Sequence, residues 1–153
     1  MINPSYPPFE FKTRKEGEIT RIFCEARKIW VRLTPEEWVR QNFYQWLVQH
    51  MKYPSSMIAV EKEIKLFDLV KRFDILVYNT DHTPWLMVEC KAQTVPLTEK
   101  TLMQVLRYNM ALPVPYIVMT NGSYVRAIAR EGDSVREITE LPPYRSSAGS
   151  MIF

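Results

Sequence analysis

The sequence predicts one α/β domain with a central mixed sheet flanked by helices, in the element order αβββαβ. Three observations carry this. A helix start is spelled out at Thr34-Pro35-Glu36-Glu37. Three β-prone segments follow between residues 57 and 92, separated by turn signals. A second helical stretch, 98–112, is closed by Pro113 and Pro115 and gives way to two more short strands. With 153 residues, 46% of them apolar, the chain can bury one sizeable core and is too short for two.

Residues 1–18 are proline-rich and then charged, which predicts an N-terminal surface arm ahead of a single domain at 19–141. Segments 19–23 and 29–33 read as short strands joined through Cys24-Glu25-Ala26-Arg27-Lys28. In the first helix Thr34 is the N-cap, Pro35 takes the first helical position and Glu37 completes a capping box. Val39, Phe43, Trp46, Leu47 and His50 recur at helical spacing, and the helix should stop before Tyr53-Pro54. At about 100° per residue Glu36 falls close to that apolar face and Glu37 about 100° further round, so Glu36 is expected to point inward. Trp38, Phe43 and Trp46 read as core.

Segments 57–67 and 72–78 are expected to be strands around a tight turn at 68–71, and 79–84 leads into a third strand at 85–92. The 98–112 helix should turn Leu102, Val105, Leu106 and Asn109 or Met110 inward. Strands at 116–120 and 124–129 flank Asn121-Gly122-Ser123, and 142–153 reads as a flexible tail.

Composition excludes several chemistries. The four glycines, Gly17, Gly122, Gly132 and Gly149, are too scattered for a phosphate-cradling loop, so neither a P-loop nor a dinucleotide-binding loop is present. Two histidines, His50 and His82, and two cysteines, Cys24 and Cys90, show no zinc-ligand spacing and no nucleophile–histidine pairing. Carboxylates and lysine must carry any catalysis. The 20 basic against 17 acidic residues permit a nucleic-acid partner without demanding one. With no apolar run near the roughly 18 residues of a membrane span and no signal-peptide pattern, a cytoplasmic location is expected.

The chemistry concentrates between Asp74 and Lys91. Glu89-Cys90-Lys91 ends the apolar run Trp85-Leu86-Met87-Val88, and Asp74 interrupts the apolar strand before it. Charges placed where a sheet buries surface must be paired, metal-bound or functional, because an unpaired buried charge is strongly destabilising. Residues two apart share a strand face, so Glu89 and Lys91 point together and only the carbonyl of Cys90 can join them. Asp74 on the neighbouring strand can meet Glu89 and hold one Mg²⁺ (or Mn²⁺), with Lys91 orienting the attacking water and stabilising charge on the phosphate. Lys71 and Arg72, leading straight into Asp74, are the foremost candidates for phosphate contacts.

Asp74 followed by Glu89-Cys90-Lys91 resembles the signature of the PD-(D/E)xK nuclease superfamily. Gln104-Val105-Leu106-Arg107-Tyr108 is similar to the Q-x-x-x-Y motif of its RecB-like members, and Glu36 to the first-helix acid that many of them place near the metal. The stretches 33–41, Lys71-Arg72-Phe73-Asp74-Ile75, Val88-Glu89-Cys90-Lys91-Ala92 and 116–122 resemble, more narrowly, the N-terminal nuclease domain of type I restriction enzyme R subunits. The resemblance runs from about Ile19 to Arg130.

It implies a restriction-endonuclease-like fold and Mg²⁺-dependent hydrolysis of DNA. Asp74, Glu89, Lys91, Glu36 and Gln104 would be catalytic, and the metal would be held by Asp74, Glu89, the Cys90 carbonyl and, through water, Glu36. Nucleic acid would meet Lys71, Arg72, Arg107 and Tyr108. Phe73 stands where the signature has proline. Since the chain lacks a P-loop, a motor or specificity subunit would be a separate polypeptide, and a homodimer would suit double-strand cutting. The rival readings are a catalytically inactive nucleic-acid- or protein-binding module on the same fold, and a nuclease acting on RNA. Beside these, Glu36 equally suits the helix macrodipole, and Gln104 and Tyr108 equally suit backbone pairing and core packing.

Overall fold

Two sheets and two helices make up the described residues, 1–145, of the protein in this computed structural model. The first sheet is the antiparallel meander β1 (Thr13–Glu16), β2 (Ile19–Cys24) and β3 (Ile29–Arg32). Helix α1 (Pro35–Gln49) leads to β4 (Ile58–Leu66), β5 (Leu69–Tyr78) and β6 (Pro84–Cys90). Helix α2 (Glu99–Tyr108) then crosses to β7 (Tyr116–Thr120), and β8 (Val125–Glu131) and β9 (Ser134–Ile138) follow. The six strands from β4 to β9 lie side by side in chain order, and only β6 and β7 are parallel, because only they are joined through a helix. This mixed α/β sheet carries the predicted αβββαβ order and is compatible with the restriction-endonuclease-like fold.

Strand alternation gives the sheet two apolar faces, and each helix covers one. Val39, Phe43, Trp46 and Leu47 of α1 pack on Ile75, Val77, Leu86, Val88 and Val118. Leu102, Val105 and Leu106 of α2 pack on Leu76, Met87, Ile117 and Met119. Both helices start where expected: Thr34 Oγ1 accepts from the Glu37 amide and Thr98 Oγ1 from the Thr101 amide. Helix α2 is shorter than its 98–112 reading, because Asn109 ends it by turning its side-chain amide back onto the Val105 carbonyl at 2.8 Å. Asn109 is buried and Met110 exposed.

Several elements differ from the sequence reading. Strand β1 falls within the expected arm and β9 carries no apolar periodicity; both are edge strands held by backbone pairing to one neighbour. Ahead of β1, Ile2 pairs with Val125, and Tyr6 and Phe9 pack against the α1-side core. The β4–β5 turn is Phe67-Asp68 rather than 68–71, since β5 begins at Leu69. Trp38, read as core, is 37% exposed and meets Phe11. At the other end Tyr144 is buried and donates to the Tyr78 carbonyl. The rest of the expected tail, 146–153, lies outside the described residues. No described helix is long and apolar enough to cross a membrane.

Candidate metal centre and cleft

Strands β5 and β6 stay paired as far as Ile75 opposite Val88 and then part, and the candidate residues sit at the fork. Phe73 and Leu76 both pack on the α2-side core although they are three residues apart, so the strand's alternation slips by one between them. The slip falls at Asp74. Opposite it, between the pairs Val60–Ile75 and Lys62–Phe73, Glu61 adopts a left-handed φ of 55°. Released from regular pairing, the Asp74 carboxylate takes the place of a strand carbonyl: Oδ2 accepts from the Cys90 amide at 2.7 Å. Its Oδ1 accepts from the Arg40 guanidinium at 2.8 Å.

Arg40 is the hub of a part-buried network. Besides Asp74 it meets Glu61 Oε1 at 2.6 Å and Glu37 Oε2 at 2.9 Å, and Glu37 also pairs with Arg27 from the β2–β3 turn. A permanently charged, forked guanidinium suits this task, since it can hold several carboxylates apart in one plane.

Glu89 of β6 and Lys91, one residue past its end, share the α2-facing side, with Lys91 Nζ 3.6 Å from Glu89 Oε1. Burial, and then the neighbouring Asp74 charge, push the Glu89 carboxyl up to about 7, and Lys91 offsets only part of this. Cys90 points to the other face, where burial raises its thiol well above the ordinary value and leaves it inert. Glu89 and Lys91 form one wall of a cleft of about 260 Å³ whose other wall is α2, through Thr101, Gln104, Val105, Tyr108 and Asn109. The Lys71 ammonium stands 4.5 Å from the centre of the Tyr108 ring at the edge of this cleft.

The family described as Type I restriction enzyme R protein N terminus matches residues 35–142, well over half of the chain and every residue that lines the cleft. The chain belongs to that family. A search of the curated proteins finds no match.

In this R-protein N-terminal domain the fold brings together Asp74, Glu89, Lys91, Gln104, Tyr108 and Lys71, which the sequence spreads over almost forty positions. Glu36 does not join them, and its expected inward orientation is corrected: it is exposed, while Glu37 is buried at 4%. The apolar face alone placed Glu36 inward, but α1 buries a second stripe, Glu37 and Gln41, beside the β2–β3 turn, where Arg27 waits for a carboxylate. The same contact leaves only half of the expected capping box, for Glu37 gives its amide to Thr34 and its carboxylate to the arginines. Arg72 is 60% exposed and pairs with Glu61 and Glu63, on the strand face opposite Lys71. Arg107 is exposed on α2 outside the cleft lining.

Sequence reasoning missed Arg40, Glu37, Glu61 and Asn109. Asn109 is 2% exposed, and its Oδ1 has no hydrogen-bond partner among the described residues although it lines the cleft. No local signal marks Arg40 or Glu61, because their partners come from three separate elements. Among the described residues no three His, Cys, Asp or Glu side chains gather as a metal-binding group, so side chains here offer two carboxylates at most.

Proposed function

We propose that this domain hydrolyses DNA phosphodiester bonds with Mg²⁺ or Mn²⁺ at Asp74 and Glu89. The observation that carries the reading is the convergence of Asp74, Glu89 and Lys91 at one strand fork, opening onto a cleft walled by Gln104 and Tyr108. The donor set fits a hard divalent cation: two carboxylates and the Cys90 carbonyl are oxygen ligands, and water completes the shell of Mg²⁺ readily. The raised Glu89 carboxyl supports the same fit, since two acids face each other with too little positive charge between them. When bound, such a cation supplies Lewis-acid polarisation of the phosphate and a more acidic water.

The protein's own groups do the remaining work. The Cys90 amide and Arg40 fix the Asp74 carboxylate so that it need not reorganise. Lys91 orients the attacking water beside Glu89 and stabilises the negative charge that builds on the phosphate. Gln104 and Asn109 offer polar contacts to the substrate in the cleft, and Lys71 offers a cation that the Tyr108 ring holds in place. DNA is preferred as the polymer because the family is that of a restriction enzyme's R protein.

The test is incubation of the purified protein with single- and double-stranded DNA and RNA in Mg²⁺, Mn²⁺ or EDTA, beside Lys91→Ala. Metal-dependent DNA cleavage should fall about a hundredfold or more in the variant, with its circular dichroism unchanged. Cleavage equal to wild type would sink the mechanism. Calorimetric titration with Mn²⁺ that shows no binding would instead favour the binding-module reading.

A further inference from the structure

We propose that the β4–β5 hairpin is a duplex-engaging wedge, in which Lys62 and Lys71 hold phosphates beside the cleft and Phe67 inserts between base pairs. The proposal rests on the reading of the cleft as a DNA site and names how the duplex is gripped there.

Beyond Ile75, β5 is paired only with β4, so the hairpin projects from the sheet. From Asp74 to its turn it extends about 20 Å at the rise of a strand. The turn has two residues, Phe67 and Asp68, between the paired Leu66 and Leu69. Such turns need left-handed backbone and favour asparagine or glycine. Here Phe67 takes it, with φ 55°, and the residue is 94% exposed. A bulky aromatic residue in the left-handed region, with its ring in water, is unfavourable on both counts in the isolated protein. Its compensation therefore comes from something the ring enters.

Charge sorting identifies what that is. Paired residues share a face, so Lys62, Ile64, Leu69, Lys71 and Phe73 lie on the α2 side, the side of the cleft, and none of them is acidic. The acids Glu61 and Glu63 are drawn to Arg72. Lys62 and Lys65 have no ion pair among the described residues. A face that carries exposed Lys62 and the 9%-exposed Lys71, with no acid, between a cleft and an aromatic tip complements a phosphate backbone. Leu69 and Val70, also exposed, point to opposite faces and so do not widen Phe67 into a flat apolar patch. A single projecting aromatic flanked by lysines has the form of side chains that unstack base steps.

The test compares wild type with Phe67→Gly, a variant whose backbone suits the turn, on a short duplex in EDTA, where nothing is cut. The duplex carries 2-aminopurine roughly six base pairs from the cleavage position, which matches about 20 Å of helix. Wild type should raise the 2-aminopurine fluorescence. Phe67→Gly should not, and should bind about tenfold more weakly, with an unchanged salt slope and a melting temperature at or above wild type. Lys62→Ala should lower the salt slope by about one. Phe67→Gly binding and unstacking like wild type overturns the wedge, and loss of self-association in that variant by sedimentation, with DNA binding intact, overturns it in favour of a second copy of the chain. Cleavage measured in parallel with Mg²⁺ separates the two readings. Wild type that unstacks without cutting keeps the wedge and refutes the nuclease, whereas cutting with Phe67→Gly unchanged does the reverse.

Discussion

Glu89 shows how one residue's surroundings set what it does. On an open strand it would ionise like any carboxyl; at the fork, burial and Asp74 hold its proton up to about 7. In the metal-free protein the native state therefore keeps a proton that the unfolded chain releases near the ordinary value of 4.5, so stability falls as pH rises from 4.5 to about 7 and levels off above. Urea unfolding in EDTA should show wild type losing about 3 kcal/mol across this window relative to Glu89→Gln, and saturating Mg²⁺ should flatten the difference. Parallel pH profiles for the two proteins would remove Glu89 as the strained acid of the site. Glu36 teaches the complementary lesson. Its position on the helical wheel was readable, but its orientation depended on Arg27, which approaches α1 from a different sheet.

At the scale of elements, the site depends on how α1 is seated against the ends of the strands. Arg40 ties the helix to Asp74 of β5 and Glu61 of β4. A second seat is the turn after β7, where Gly122 has φ +93° and an added Cβ would lie 3.3 Å from Val39 Cγ2 of α1. Gly122→Ala should thus cost about 1–2 kcal/mol, from left-handed strain and from crowding of Val39. Urea denaturation measures this, and a midpoint equal to wild type would mean that the turn is free to shift. The Asn121-Gly122-Ser123 turn was legible because its residue types have local reasons to be there. Strand β9 was not, because its solvent-facing residues leave no period and its stability comes from pairing with β8.

For the whole molecule, the segment before β1 matters beyond its composition. Ile2 adds a bridge to Val125 on β8 while Tyr6 and Phe9 cover the α1-side core, and Tyr6 reaches Trp46 at a centroid distance of 6.4 Å. Deleting residues 1–9 should destabilise the protein by about 2 kcal/mol or more from lost aromatic burial. Thermal unfolding would report it, and an unchanged transition would show these contacts to be dispensable. Cleavage activity under the same conditions should follow the folded fraction, since none of these residues lines the cleft.

By itself the sequence determined the class of the fold, the N-cap of the first helix and the placing of Glu89 and Lys91 together at a strand end. These follow from periodicity, turn residues and the cost of charge at a strand end, all of which are local. Only the tertiary structure decided that Glu37 rather than Glu36 turns inward and that Arg40 holds Asp74. It also decided that Phe67, read as the end of a strand, stands at the apex of a projecting hairpin. These outcomes depend on which distant groups meet. A charge seeks its counter-charge across elements, and a two-residue turn is set by the register of the strands it joins, so neither is visible in the residues around it.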